Sequence, residues 1–321
     1  MKNTNTHNQH GPAPTQLRKH YYMDSFAVIA PQRSKRPNNT SAQEIVSEKD
    51  QASHPIEDEE SIFEIKDKSG NWQVKVVKNA FPAFTDDNPE TKGEHEVILE
   101  TPKPDTPFAE LSVEEITVVL RTYQERIRQL GQRYEFISVF KNHGKRAGAS
   151  LNHTHSQIIA TDIVPPEVRR ERAAVTQYQE KHGTSPLCDV IRWELTQGER
   201  VVAHTRHNST ICPYASRFPL EAWIVPNRQH HSIVDLSDEE ITSLADHLKG
   251  VTSALTANAI DYNFHLVEGI DGQSNHFYVK VLPRITYQAG FEHDTGIYIN
   301  PISPEYARKW YQKYIKIPNV V

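Results

Sequence analysis

Apolar residues recur at every third or fourth position in two long stretches of the chain, the spacing that gives an α-helix one apolar face. The apolar positions of the first stretch are Val113, Ile116, Val119, Leu120, Tyr123, Ile127 and Leu130. Ser112 with Glu115, and Ser237 with Glu240, have the spacing of a capping box, which satisfies the first backbone N–H groups of a helix. We therefore predict helices that begin near residues 113 and 238, the first of which ends at Gly131.

Shorter apolar or alternating stretches predict strands around these helices. The strands cover residues 26–30, 72–77, 95–100, 136–140, 153–159, 222–225, 261–266 and 276–282. Two stretches lack apolar anchors: residues 1–16 predict a flexible tail, and residues 38–60 predict a mobile loop.

The order of elements occurs twice. The sequence Leu-Ser-Val-Glu-Glu-Ile at 111–116 is echoed by Leu-Ser-Asp-Glu-Glu-Ile at 236–241. In each half, a strand precedes the helix, an aromatic strand follows it, and a strand that carries histidine comes next. This order predicts an α+β fold that arose by duplication of one unit.

Charge and composition narrow the class of protein. The net charge of −5, from 36 basic and 41 acidic side chains, argues against a protein whose main task is to grip nucleic acid or an anionic membrane. Cys188 and Cys212 are too few for a disulfide framework or a thiolate zinc site. No apolar run has the length of a membrane span, and the first residues lack a signal-peptide core, so we expect a cytoplasmic protein.

Residues 142–157 carry the candidate chemistry. On a strand, His153, His155 and Gln157 would point to the same face. The preceding loop contains Gly144 and Gly148, so its backbone N–H groups could converge on an anion. A neutral imidazole can attack an activated phosphorus and form a covalent intermediate that a second acceptor opens. Taken alone, the His-x-His pair would equally suit a zinc couplet or a buried structural pair.

The motif Asn142-x-Gly144, Gly148-Ala-Ser150, His153-x-His155-x-Gln157 resembles the active-site motif of galactose-1-phosphate uridylyltransferases, in the histidine triad superfamily. Matching stretches run from 29–37 and 77–82 to 213–226 and 283–296. The resemblance implies two tandem histidine-triad-like repeats, each an antiparallel sheet with packed helices. We expect a flexible tail at 1–16, an N-terminal repeat at 17–175, a C-terminal repeat at 176–321, and a homodimer.

The resemblance also implies roles for individual residues. It makes His155 the nucleophile that takes up a nucleoside monophosphate. The residues implied to bind phosphates or nucleotide are Asn79, Asn142, Gly148, Ser150, Gln157, Arg33 and Arg36, with Asn79 beside the nucleoside. Phe291 and Glu292 match an aromatic and acidic pair that contacts the hexose.

The chain departs from the family in its metal ligands. Many members bind zinc through two cysteines after the basic turn, a downstream histidine, and the first histidine of the His-x-His pair. Residues 38–60 contain no cysteine, the downstream position is Pro104, and only His153 remains. Lys280 and Leu282 stand where some members place a second pair of histidines, with His265 nearby. We therefore expect no bound metal and no cofactor.

Three further departures affect catalysis and specificity. Thr154 replaces the proline usually found between the two histidines, which makes the backbone there less preorganised. Ala80 replaces an acidic residue beside the nucleoside, so the base is open. Tyr298 falls where a glutamine contacts the sugar, so the hexose is open too.

These observations predict a nucleotidyltransferase. The first hypothesis is transfer of uridylyl from UDP-glucose to galactose 1-phosphate through His155. A second hypothesis keeps the nucleophile and makes the protein a phosphorylase of ADP-glucose or of a diadenosine polyphosphate. A third is a nucleotide-binding protein without catalysis.

Overall fold

The computed structural model describes residues 16–29, 56–87, 89–149, 151, 153–269, 276–315 and 317. Six α-helices are formed within these ranges: α1 (Val113–Leu130), α2 (Pro166–His182), α3 (Pro186–Gln197), α4 (Asp238–Ala257), α5 (Gly290–Thr295) and α6 (Pro304–Tyr314). The strands are β1 (Gln16–Lys19), β2 (Phe26–Ile29), β3 (Ser61–Lys66), β4 (Trp72–Lys78), β5 (Gly93–Leu99), β6 (Phe136–His143), β7 (His155–Thr161), β8 (Val201–His204), β9 (Asn208–Ile211), β10 (Ala222–Pro226), β11 (Tyr262–Val267), β12 (Tyr278–Pro283) and β13 (Tyr298–Asn300).

The two long helices begin where the sequence predicts. The hydroxyl of Ser112 accepts from the backbone N–H of Glu115 at 3.1 Å, and the Glu115 carboxylate accepts from the Ser112 N–H at 2.7 Å. Ser237 and Glu240 form the same reciprocal pair at the start of α4. An N-cap of this kind stabilises a helix by about 1 kcal/mol.

Ten described strands form one antiparallel sheet in the order β3-β4-β5-β7-β6-β11-β12-β10-β9-β8. The two halves meet where β6 pairs with β11, with Asn142 opposite Asn263 and Phe140 opposite His265. A separate small sheet contains β1, β2 and β13. The fold is thus α+β, as predicted, and the sheets of its two halves form one continuous sheet.

The core lies between one face of this sheet and helices α1 and α4. Ile116 and Leu120 of α1 and Leu244 of α4 are fully buried against Val139 and Phe264 of the sheet. Burial of each such side chain contributes about 1.5–3 kcal/mol before entropy is counted. The other sheet face carries a cross-strand row of Val97, Gln157, Phe140, His265, Lys280 and Trp223.

Several predicted boundaries need correction. Gln16, the last residue of the predicted tail, begins β1, and the rest of that tail lies outside the described residues. The predicted loop 38–60 ends in a short 3-10 helix at Ile56–Asp58, and residues 38–55 also lie outside. Both histidine-bearing strands start two residues later than predicted, at His155 and Tyr278, because the preceding residues turn toward the neighbouring strand end.

The division at residues 175 and 176 falls inside α2, so the boundary between the repeats stays a prediction. No helix of the described part of the chain is long and apolar enough to cross a membrane.

Candidate active site

His155 is the first residue of β7 and is 4% exposed. Its Nδ1 lies 2.8 Å from the carbonyl oxygen of His153. Because a carbonyl can only accept, Nδ1 carries the proton and Nε2 carries the lone pair. Burial, followed by the positive charge of Lys141, lowers the pKa of His155 below its usual value. The imidazole is therefore held neutral with Nε2 available as a nucleophile.

A buried cation lies beneath the backbone of His155. The ammonium of Lys141 forms an ion pair with Glu100 and donates to the carbonyl of His155 at 2.8 Å and to the hydroxyl of Thr154 at 2.9 Å. The Thr154 hydroxyl in turn donates to Glu100 at 2.8 Å. All three ammonium donors thus have partners, as a buried charge requires. Burial lowers the pKa of Lys141.

This cluster changes how the Thr154 departure is interpreted. The sequence predicted a less preorganised backbone because proline is missing. In the structure, the Thr154 side chain is 8% exposed and hydrogen-bonded to both Lys141 and Glu100. Side-chain hydrogen bonds therefore fix the residue before His155.

The loop between β6 and β7 is closed on itself. Gly144 and Gly148 have positive φ angles of 84° and 85°, and a 3-10 turn at Lys145–Ala147 lies between them. The N–H groups of Ala147 and Ala149 donate to the Gly144 carbonyl, and that of Gly148 donates to the Lys145 carbonyl. The expectation that the N–H groups of this loop converge on an anion is therefore wrong for these three, because carbonyls of the same loop already accept from them.

Residues at the start of β11 hold this loop from the second half of the chain. Asp261 accepts from the backbone N–H of Arg146 at 2.8 Å, and a Cβ on Gly144 would overlap the Asp261 carboxylate. Asn263 donates to the carbonyl of Ala147 at 2.8 Å and to Oδ1 of Asn142 at 2.7 Å. The guanidinium of Arg284, over the ring of Phe218, donates to Oδ1 of Asn263.

Gln157 and Asn79 both contact the imidazole of His95. Oε1 of Gln157 is 2.8 Å from Nε2 of His95, and Nδ2 of Asn79 is 3.2 Å from the same nitrogen. Asn79 Oδ1 accepts from the backbone N–H of Phe81 at 2.8 Å. Gln157 belongs to the same strand and face as His155, two residues along β7.

His153 has a structural counterpart in the second half. Phe140 pairs with Gln157 as His265 pairs with Lys280, which makes His153 equivalent to His276, and His155 equivalent to Tyr278. Nε2 of His153 lies 2.6 Å from the Thr101 carbonyl, and Nε2 of His276 lies 2.9 Å from the Pro226 carbonyl. Both histidines therefore tie the start of a strand to the end of its neighbour.

Within the described part of the chain, no three His, Cys, Asp or Glu side chains are grouped to hold a metal ion. The expected loss of zinc stays a prediction, because the segment that carries the basic turn lies outside this part. Near the position of the second histidine pair of some family members, Lys280 lies 3.9 Å from the partly buried Glu171, which also accepts from the hydroxyls of Tyr22 and Tyr278 at 3.1 Å. His265 and Lys280 line a cavity of about 320 Å³ there.

The remaining predicted residues are Arg33, Arg36, Ser150, Phe291 and Glu292. Arg33, Arg36 and Ser150 lie outside the described residues. Phe291 and Glu292 lie on α5, where Phe291 is 48% exposed and Glu292 accepts from the N–H of Ala289. A cavity of about 230 Å³ lies beside His155. Of the described residues, 12 line it, and none of these belongs to α5: Asp105, Pro107, Lys141, Asn142, His143, Gly144, Lys145, Ala149, Leu151, His153, Thr154 and His155.

The contributions of His95, Glu100, Lys141, Asp261 and Asn263 were not predicted from the sequence. For Lys141 a signal existed: alternation from Val139 places it on the core face of β6, where a charged residue needs a partner. His95 and Asn263 carry no such signal because their contacts depend on strand order and register.

Two family models match the chain. The N-terminal domain of galactose-1-phosphate uridyl transferase matches residues 12–165, and a domain of unknown function, DUF4921, matches residues 106–316. An ADP-glucose phosphorylase of Arabidopsis thaliana is 28% identical and covers 90% of each chain. A galactose-1-phosphate uridylyltransferase of Haemophilus influenzae is 29% identical, over 84% of this chain and 86% of the relative.

The structural comparison agrees. The crystal structure of an ADP-glucose phosphorylase from Arabidopsis thaliana with bound ADP-glucose superposes with a TM-score of 0.81 at 27% identity. The match covers 94% of this chain and 99% of the other. The same family is indicated by the motif around His155, by the duplicated sheet and by these full-length matches. The chain belongs to the galactose-1-phosphate uridylyltransferase family of the histidine triad superfamily, a family of nucleotidyltransferases.

Proposed function

We propose that the protein transfers a nucleoside monophosphate from a nucleotide sugar to a hexose 1-phosphate through a covalent intermediate on His155. The observation that carries the proposal is a set of three carboxamides. Asn142 lines the cavity beside His155, Gln157 lies two residues along β7, and Asn79 is connected to Gln157 through His95. The side-chain oxygens of Asn79, Asn142 and Gln157 each face a donor of the protein. The amide nitrogens of Asn142 and Gln157 therefore remain to donate to phosphate oxygens, whereas that of Asn79 lies 3.2 Å from Nε2 of His95.

The chemistry uses the proton position described above. The Nε2 lone pair of His155 attacks the α-phosphorus, and a P–N bond forms as the P–O bond to the departing hexose 1-phosphate breaks. The proton on Nδ1 stays in place, and its bond to the His153 carbonyl stabilises the positive charge that the ring acquires. A phosphate oxygen of the second substrate then forms a new P–O bond and releases His155 unchanged.

For the donor, UDP-glucose with galactose 1-phosphate as acceptor is the first candidate, in keeping with the uridylyltransferases among the relatives. ADP-glucose with orthophosphate as acceptor is the second. It is favoured by the plant phosphorylase, which matches nearly the whole chain, and by Ala80, which offers no acidic side chain beside the nucleoside.

The test is covalent trapping. The protein is incubated with UDP-glucose or with ADP-glucose labelled in the α-phosphate, and acid-labile label on the protein is measured. We expect label on wild type and on His182→Ala, an exposed control on α2, and none on His155→Ala. The labelled protein is then treated with hexose 1-phosphate or with orthophosphate, and the compound that removes the label is the acceptor. No label from either donor would refute the proposal in favour of a nucleotide-binding protein.

We further propose a homodimer without bound metal. The exposed Phe291 and the neighbouring Glu292 could then contact the hexose from a partner subunit, since neither lines the cavity beside His155 in their own chain. Sedimentation that gives a monomer, or a full equivalent of zinc in elemental analysis, would refute the respective part. The cytoplasmic location stays a prediction.

A further inference from the structure

His95 makes three hydrogen bonds to residues of the candidate site. It is half-buried on β5, where it lies opposite Ile159 of β7. Its backbone carbonyl accepts from the N–H of Asn79 at 2.9 Å, and its Nδ1 lies 3.1 Å from the backbone N–H of Ala83. Its Nε2 reaches Gln157. One side chain therefore connects the 79–83 loop, implied to bind the nucleoside, to the glutamine implied to bind phosphate.

The position of the ring proton on His95 follows from its contact with the backbone N–H of Ala83. The Ala83 N–H is a donor, so Nδ1 must accept and the ring proton must lie on Nε2. The Asn79 amide nitrogen cannot receive this proton, because the Phe81 N–H already fixes the Asn79 oxygen on the other side. The Nε2 proton is therefore donated to the oxygen of Gln157.

This chain of donors determines which end of Gln157 faces the substrate. A carboxamide has an acceptor end and a donor end, and phosphate oxygens can use only the donor end. A Gln157 side chain free to rotate would present its oxygen to the phosphate part of the time, and two acceptors repel each other. With Nε2–H of His95 on its oxygen, Gln157 presents its NH₂ group continuously.

We propose that His95 is a positioning residue for nucleotidyl transfer, which holds Gln157 with its amide nitrogen toward the phosphate of the nucleotide. The proposal rests on the transfer reaction proposed above and adds a residue to it. His95 acts through Gln157 and the 79–83 loop and takes no part in bond formation.

Two substitutions separate the two ends of the imidazole. In His95→Asn, the side-chain oxygen can take the place of Nδ1 and keep the Ala83 N–H satisfied, while the donor to Gln157 is lost. In His95→Gln, the amide nitrogen can take the place of Nε2 and keep that donor, while the Ala83 contact is lost. A role limited to anchoring the 79–83 loop predicts that His95→Gln is the more damaging variant.

We expect the reverse. The rate of covalent labelling should fall about 10- to 100-fold in His95→Asn, the range that loss of a hydrogen bond to a charged group gives, and recover most of that loss in His95→Gln. In a Gln157→Ala background, His95→Asn should have little further effect, because both changes remove the same contact. Melting temperatures within a few degrees of wild type establish that the variants are folded.

Three results would overturn the proposal. The first is a His95→Asn variant that is labelled at the wild-type rate. The second is a double variant, His95→Asn with Gln157→Ala, whose labelling rate falls by the product of the two single-variant factors. The third is nitrogen NMR of histidine-labelled protein that finds the His95 proton on Nδ1, which does not depend on activity. Absence of label from wild type would instead refute the transfer reaction itself, and this inference with it.

Discussion

The ammonium nitrogen of Lys141 lies 2.9 Å from the hydroxyl oxygen of Thr154, at a depth where both side chains are almost entirely buried. Removal of the hydroxyl would leave one ammonium donor of Lys141 without a partner and would remove one of the two hydrogen bonds that Oε2 of Glu100 accepts. We expect Thr154→Val and Thr154→Pro to destabilise the protein equally, by about 1–3 kcal/mol, although proline is the family's residue here.

Denaturant unfolding measures this change. Thr196→Val is the matched control, because its hydroxyl bonds a carbonyl at the surface of α3. A Thr154→Pro variant as stable as wild type would show that the hydroxyl bonds contribute nothing.

The contacts between Asn263 and the 144–149 loop give a second prediction. Asn263→Ala removes the donor that orients the Asn142 amide and the one that holds the Ala147 carbonyl. We expect the dissociation constant of the nucleotide sugar to rise about tenfold, the effect of one lost hydrogen bond. Calorimetric titration measures it, with Asn258→Ala at the end of α4 as control. A change below twofold would exclude a role for Asn263 in binding.

The lowered pKa of His155 predicts the acid limb of the labelling reaction. Only the neutral imidazole attacks phosphorus, so labelling should persist as the pH falls through about 6.5, the usual histidine value, and decline on the acid side of it. Lys141 lowers the pKa of His155 by more than Glu100 raises it. Replacement of both residues by methionine should therefore raise this pKa. The limb should then move to higher pH.

A second buried pair provides the control for that profile. Arg126 and Glu96 are paired on the core face of β5, away from His155. Their replacement by methionine should leave the position of the acid limb unchanged. A limb that moves equally in both double variants would assign the effect to general loosening of the core.

Acid destabilisation is expected from buried neutral histidines. His247 is fully buried between the hydroxyls of Thr205 and Thr210, and burial lowers its pKa to about 3. A group whose native pKa lies below its unfolded value contributes stability that is complete above pH about 6.5 and decreases as the pH falls toward the native pKa. His276 shifts in the same direction, to about 4.

His247→Asn tests this contribution. Between pH 6 and 4, the slope of unfolding free energy against pH should decrease by about 1.4 kcal/mol per pH unit, the value for one titrating group. Ser243→Ala, which removes a hydroxyl near Thr205 and no titrating group, should leave the slope unchanged. An unchanged slope in His247→Asn would contradict the assignment.

The sequence predicted the elements whose signals are local. Capping boxes and a regular apolar stripe place α1 and α4, and the motif places His155 beside a glycine-containing loop. It did not predict α2 or β9. Only Val175 of α2 is buried, so the helix has almost no apolar stripe, and β9 reads Asn-Ser-Thr-Ile although it is fully buried. The hydroxyls of Ser209 and Thr210 are stable there because tertiary partners, Asn227 and His247, satisfy them.

Contacts that complete the site depend on strand order and not on local sequence. His95 meets Gln157 from 62 positions away, and Asp261 meets Arg146 from 115. These residues are distant in sequence but close in space because β5 and β6 flank β7, and β11 pairs with β6. A pattern of alternation gives the face of a residue, but not its neighbour on the next strand.

The pairing of β6 with β11 has a consequence for the integrity of the molecule. The halves are joined by backbone hydrogen bonds along a strand edge, and a fragment limited to the first half would expose that edge to solvent. Exposed edges recruit other strands, so such a fragment would tend to aggregate or to exchange strands with a second copy. It would also lack Asp261 and Asn263, and would therefore contain the proposed nucleophile, His155, without the hydrogen bonds that hold the neighbouring loop.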